Sequence, residues 1–157
     1  MRTGVRLGID VGKARVGVSR SDLHGMLATP VETVQRGSQR DEAIARVATI
    51  AAELEVFEII VGLPLNMRGE STPSTDDALA FAEALGEACQ VPVRLVDERL
   101  STVSAQGALH RSGRNTKNSR AVIDQVAAVI ILQHALDSER SSGTPPGRLA
   151  NEQDLFE

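Results

Sequence analysis

Hydrophobic and polar positions alternate from the start of the chain. Val5, Leu7 and Ile9 alternate with Arg6, Gly8 and Asp10, the two-residue period of a strand. Gly12-Lys13-Ala14-Arg15 interrupts this, and Val16-Gly17-Val18-Ser19 resumes it, which predicts a hairpin. A third strand is expected over Met26–Val34, with Pro30 making it an edge or a broken strand. The period then changes. Ala43, Ile44, Val47, Ile50, Ala51 and Leu54 share one face of a helix predicted over Arg40–Leu54. Phe57–Val61 reads as a strand closed by Gly62-Leu63-Pro64, Asn66–Thr75 as a polar loop, Asp76–Cys89 as a second helix and Pro92–Val96 as a short strand. Ser101–His110 reads as a helix, Arg111–Ser119 as a basic loop without an apolar residue, and Arg120–Ser138 as a last helix.

An antiparallel meander followed by strand–helix–strand crossovers implies an α/β domain, a five-stranded mixed sheet flanked by helices. Residues 1–138 form this one domain. Residues 139–157, with Gly143, Pro145, Pro146 and Gly147, are expected to be a disordered C-terminal tail. A chain of 157 residues, 41% hydrophobic, can bury a core of its own. No apolar run approaches a membrane span, no secretory leader is visible and Cys89 is the single cysteine. A cytoplasmic protein without a membrane partner, a disulfide or a cysteine-rich zinc site is therefore expected.

The formal net charge of −4 does not by itself suggest a polyanion partner, but its distribution does. Arg99, Arg111, Arg114, Lys117 and Arg120 span a stretch with no acid, so that segment can neutralise phosphates or form a solvated linker. Lys13 and Arg15 at the hairpin tip and Asn66 in the polar loop are further candidate nucleic-acid contacts; their alternatives are a solvated tip and a turn residue. With no Trp or Tyr the chain has little to stack bases on, which favours recognition of structured nucleic acid by backbone and shape.

Three acids stand out. Asp10 ends the first strand, Glu98 follows the last, and ligands of open α/β sheets bind beyond the carboxyl ends of strands. Asp124 lies on the most apolar helix, in line with Ala128 and Ile131, where an ionised acid needs a partner or a metal. Each has a structural alternative: a turn-forming Asp10, a Glu98 paired with Arg99, an Asp124 that complements the helix dipole. Taken together, Asp10, Glu98 and Asp124 make a catalytic and metal-binding set. Such a set can hold two Mg²⁺ or Mn²⁺ ions about 3.5–4 Å apart for in-line displacement at phosphorus. Gly8 and Gly17, beside Asp10, admit either a phosphate backbone or close packing.

Four stretches occur together and in order: Gly8-Ile9-Asp10-Val11-Gly12 with Gly17-Val18, Gly62-Leu63-Pro64-Leu65-Asn66-Met67-Arg68-Gly69, Asp97-Glu98-Arg99-Leu100-Ser101-Thr102, and Asp124-Gln125-Val126-Ala127-Ala128. This content resembles the YqgF/RuvX family over roughly Arg6 to Leu136, with Gln125 departing from the Ser expected after the acid. The resemblance implies a ribonuclease H-like fold and the same three acids. It implies a divalent-metal nuclease that matures the 5′ end of the 16S ribosomal RNA precursor, with the ribosomal particle as a partner. The alternative it carries is a Holliday junction resolvase acting as a dimer on branched four-way DNA, so monomer and homodimer both stay open. A non-catalytic nucleic-acid-binding module on the same fold is a third reading. The first glycine segment also resembles a phosphate loop of actin-like ATPases and sugar kinases, but those need two such domains and this chain has one set of motifs.

Overall fold

The computed structural model describes residues 1–37, 40–99 and 116–150. Six strands, β1 (Arg6–Val11), β2 (Arg15–Ser21), β3 (Ala28–Gln35), β4 (Glu58–Leu63), β5 (Val93–Asp97) and β6 (Arg148–Leu149), form one sheet in the order β3-β2-β1-β4-β5-β6. Helices α1 (Arg40–Glu53), α2 (Pro73–Cys89) and α3 (Thr116–Ser142) complete the described elements. β1, β2 and β3 pair antiparallel, while β1, β4 and β5 run parallel as neighbours. β3 is an edge strand, and its register with β2 slips at Val18/Ser19, opposite Pro30, which has no N–H to give the ladder.

Alternation along the strands separates two faces. Leu7, Ile9, Val16, Val18, Ile59, Val61, Val93 and Leu95 pack with the apolar faces of α1 and α2 in the larger core. The other face carries small and charged side chains, Arg6, Gly8 and Asp10 on β1 and Gly17, Ser19 and Ser21 on β2. There α3 lies very close to the sheet. A Cβ on Gly17 would overlap the carbonyl oxygen of Asp124, one on Gly8 would crowd Ser19 and the Ala128 carbonyl, and Ser19 Oγ donates to that carbonyl at 2.8 Å. Gly8 and Gly17 thus serve close packing of helix on sheet. Ile131, Leu132, Ala135 and Leu136 of α3 close over Ile60 in a second, smaller core.

Several boundaries differ from the sequence expectation. α2 begins at Pro73, three residues early, because Thr72 caps it in a reciprocal box with Thr75 and proline is well suited to the first turn. α3 starts at Thr116 and runs to Ser142, so the last residues of the expected basic loop are helical. The sheet has six strands, not five. The expected disordered tail is corrected over residues 139–150. Glu139 is 4% exposed in an ion-pair network, and Arg148–Leu149 adds to β5 as antiparallel β6. The helix expected at Ser101–His110, Arg111, Arg114 and residues 151–157 lie outside the described residues.

Candidate active site

The parallel registers place the ends of β1, β4 and β5 side by side. Ile9 pairs Val61, Leu63 pairs Asp97, and the Glu98 amide donates to the Leu63 carbonyl at 3.3 Å. Asp10 therefore leaves β1 on the α3 face beside the start of the β5 loop, and its side chain shares a hydrogen bond with Glu98. Burial pushes both carboxyls above the ordinary range. For Asp10 the Glu98 bond works against this and the charge of Asp124 adds to it. For Glu98 the charge and bond of Asp10, then the charge of Asp97, raise it further. Two acids with too little water around them cannot both ionise freely, so the pair retains a proton well above the usual carboxylate range.

Glu98 Oε2 is buried and has no hydrogen-bond partner among the described residues. The space it occupies exists because residue 62 is glycine. A Cβ there would stand 2.5 Å from Glu98 Oε2 and 2.6 Å from Ile131 Cδ1. A buried carboxylate oxygen without a donor is costly, and a hard cation is the group that satisfies it. The oxygen-only donors, their mutual repulsion and this orphaned atom all fit a divalent ion held by Asp10 and Glu98.

Asp124 stands close enough for its charge to act on Asp10, and its backbone lies over Gly17, the register partner of Asp10. Its carboxylate, however, accepts from Arg15 Nε at 2.7 Å. Among the described residues, no three His, Cys, Asp or Glu side chains form a ready metal cluster. The structure thus brings Asp10 and Glu98 into contact and holds Asp124 alongside, engaged by an arginine.

The expected nucleic-acid contacts separate into groups. Lys13 is exposed at the hairpin tip, on a groove of about 400 Å³ shared with Gly12, Arg36, Pro73 and Ser74. Arg15 is spent on Asp124. Asn66 is a turn builder: Oδ1 accepts from the amides of Arg68 and Glu70, both at 2.9 Å, and Nδ2 donates to Glu70. Arg99 pairs with Asp97 at 2.5 Å and reaches the Met67 carbonyl at 3.5 Å, tying the Pro64–Ser71 loop to the end of β5. Lys117 and Arg120 fall in the first turns of α3, with side chains outside the described residues, as are Arg111 and Arg114 altogether. Two contributors escaped the sequence reading. Gly62 makes room for Glu98, and Arg36 braces the hairpin tip through the Gly12 carbonyl at 2.8 Å while pairing with Asp77. Gly62 was visible as a strand-ending residue and as the start of a family-like stretch, but not as the support of Glu98, and Arg36 gave no sequence signal.

A mixed sheet with an antiparallel β1–β2–β3 meander, parallel β4 and β5, and acids at the strand ends defines a ribonuclease H-like fold. The solved structure "T. thermophilus RuvC in complex with Holliday junction substrate" superposes with TM-score 0.58 at 20% identity, over 93% of this chain and 99% of that one. "Thermus thermophilus RuvC structure" gives 0.56 at 18% identity, over 92% and 99%. At this identity the likeness concerns the fold. The family model described as "RuvX: Holliday junction resolvase" matches residues 4–138, and the chain belongs to this RuvX (YqgF) family. A protein of Leifsonia xyli subsp. xyli named "Putative pre-16S rRNA nuclease" is 63% identical over 147 residues, 94% of each chain. One of Clavibacter michiganensis subsp. michiganensis with the same name is 59% identical over 149 residues, 95% of this chain and 92% of that one. Among the described residues no helix is long and apolar enough to cross a membrane.

Proposed function

We propose that the protein is a divalent-metal-dependent endonuclease that hydrolyses phosphodiester bonds in structured nucleic acid, and that its task is maturation of the 5′ end of the 16S ribosomal RNA precursor. The observation that carries this reading is the buried Asp10–Glu98 pair with the unpartnered Glu98 Oε2, at the sheet edge where such folds bind ligands. The names of the Leifsonia and Clavibacter relatives support the RNA substrate.

Asp10 and Glu98 would hold the ion, with Asp124 joining them once parted from Arg15. A bound divalent ion supplies positive charge at the reacting phosphate and makes water a better nucleophile there. The chain's own groups do the rest. The Asp10–Glu98 pair would give up its shared proton to hold a divalent ion, since a cation favours both carboxylates in their ionised form. Gly62 and Ile131 fix where the Glu98 carboxylate stands. Lys13, exposed at the braced hairpin tip, offers a cation to a neighbouring phosphate, as would Lys117, Arg120, Arg111 and Arg114. No covalent nucleophile is required. Cys89 sits at the last turn of α2, and burial pushes its thiol up, away from the reactive thiolate.

The test compares a 5′-extended 16S precursor with a four-way DNA junction, in Mg²⁺ or Mn²⁺, using Asp10→Asn as control. Cleavage of the RNA at one position, reduced about 10³-fold or more in the variant, is expected, the scale of losing a group that stabilises transition-state charge. Paired symmetric cuts in the junction instead would support the resolvase reading that the family description favours, which requires a two-fold dimer. Inert wild-type protein on both substrates would support the non-catalytic binding module.

A further inference from the structure

We propose that Arg15 is a built-in counter-ion for Asp124 that competes with the divalent cation, and so sets the metal affinity of the site. The inference rests on the metal-dependent reading above and deepens it.

Arg15 is the first residue of β2. Its backbone is pinned by the Gly12 amide, which donates to the Arg15 carbonyl at 2.9 Å, and by its register pairing with Gln35. From this fixed base the guanidinium reaches α3, 109 residues later in sequence, and donates through Nε to Asp124 Oδ2 at 2.7 Å. The Asp124 backbone is equally fixed, pressed onto β2 at Gly17. Neither end of the pair can drift, so the contact is a consequence of the fold and not of two long side chains meeting on a surface.

The location makes this pair different from an ordinary ion pair. Asp10 already feels the charge of Asp124, and Asp10 is bonded to Glu98. The Arg15 charge therefore lies against the third carboxylate of a group whose other two have no cation beside them among the described residues, where Glu98 Oε2 also has no hydrogen-bond partner. One positive charge is present where three carboxyl groups gather. An incoming divalent ion gains the full ligand set only if Asp124 exchanges Arg15 for it. The exchange is feasible because the pair is at the rim: the side chains are 29% and 16% exposed, and water can take over the guanidinium. The bond uses Nε, so a single charge-assisted contact has to be broken. Arg15 is thus a positioning residue. It keeps Asp124 neutralised and oriented in the metal-free protein, at a cost in metal affinity.

The test is Mn²⁺ binding by the nucleic-acid-free full chain, followed by electron paramagnetic resonance, so that no cleavage is needed. Arg15→Gln should bind Mn²⁺ about tenfold more tightly than wild type, the equivalent of losing one charge-assisted bond from the competing state. Arg15→Lys, which keeps the charge but not the planar donor, should fall between the two. In an Asp124→Asn background, Arg15→Gln should change the affinity less than twofold, because the competed ligand is gone. Unchanged or weaker Mn²⁺ binding by Arg15→Gln, with wild type binding normally, overturns this proposal and leaves the nuclease reading standing. Absence of Mn²⁺ binding in both proteins overturns this proposal and the metal-dependent reading together. A gain that persists undiminished in the Asp124→Asn background also overturns it, since the effect would then not pass through Asp124.

Discussion

Two clusters of charge lie on the same face of the sheet under the same helix, and they are built on opposite terms. At the amino ends of β1 and β4, Arg2 bonds Glu58 at 2.8 Å and Glu139 at 2.6 Å, Arg6 bonds Glu139 at 3.1 Å, and Arg94 bonds Glu58 at 2.8 Å. Arg6 and Glu58 are each 1% exposed, and the Arg2 and Arg6 guanidinia lie over the Phe57 ring at 5.1 and 4.8 Å. Three cations meet two anions there. At the carboxyl ends, Asp10 and Glu98 meet each other, and among the described residues Glu98 Oε2 has no hydrogen-bond partner while Arg15 answers Asp124. In the first cluster both carboxylates are paired with arginines inside the protein, as a structural site requires. The second leaves a buried carboxylate oxygen unpaired among the described residues, which supports the metal-binding reading proposed above.

The largest effect that sharpens this contrast is on stability at the matched end. Glu139→Gln removes the anion that Arg2 and Arg6 share and leaves Arg6 buried with less compensation. Breaking a buried network in this way costs about 3–5 kcal/mol. Denaturant unfolding should show it as a lower midpoint at unchanged slope, and a loss below about 1 kcal/mol would mean the network is not load-carrying.

Next comes Gly62→Ala at the unmatched end. Its Cβ would meet the side-chain ends of Glu98 and Ile131 and, at 3.1 Å, the Glu98 Cβ, but no backbone atom among these nearest neighbours. The fold should survive while the carboxylate moves. Cleavage should fall about 10- to 100-fold, the usual cost of disturbing the support of a metal ligand. Equal activity with a clear loss of stability would reverse the assignment and make Gly62 a packing glycine like Gly17.

The two ends also differ in how far the sequence disclosed them. Asp10 and Glu98 could be placed on one edge on the condition that β1, β4 and β5 lie parallel as neighbours, which strand periodicity and helical crossovers suggest and the registers show. Asp124 shares a face with Ala128 and Ile131 by helical spacing alone. The matched cluster left no such trace. Its partners stand 56 and 137 positions apart, with no period to join them, and Glu139 read as the first residue of a disordered tail. Pro73 signalled a loop where it begins α2, because the same ring that breaks a helix interior suits its first turn. The Arg15–Asp124 contact depends on how closely α3 approaches β2, which glycine at position 17 permits but does not announce.

The smallest effect, and the most discriminating, is the opposite pH dependence of the two ends in the metal-free protein. Burial tends to raise the Glu139 carboxyl, but the hydrogen bonds and charge of Arg2 and the charge of Arg6 more than reverse this and hold it down to about 2. Its folded value lies below its unfolded one, so the matched cluster stabilises fully above the ordinary carboxylate range and is lost as pH falls from there toward 2. The Asp10–Glu98 pair runs the other way. Its folded values are raised, so the folded state binds more protons than the unfolded chain, and stability falls as pH rises through the raised range. The melting temperature of the metal-free protein should therefore peak at mildly acidic pH and decline toward pH 9. Asp10→Asn removes one of the two repelling charges and should flatten the alkaline side, a gain of about 1–2 kcal/mol at pH 8 with the acid side unchanged. Saturating Mn²⁺ should flatten the same limb in wild type, because the cation replaces the shared proton. If Asp10→Asn leaves the alkaline limb as steep as before, the two acids are already matched by another group, and the contrast between the two ends of α3 fails.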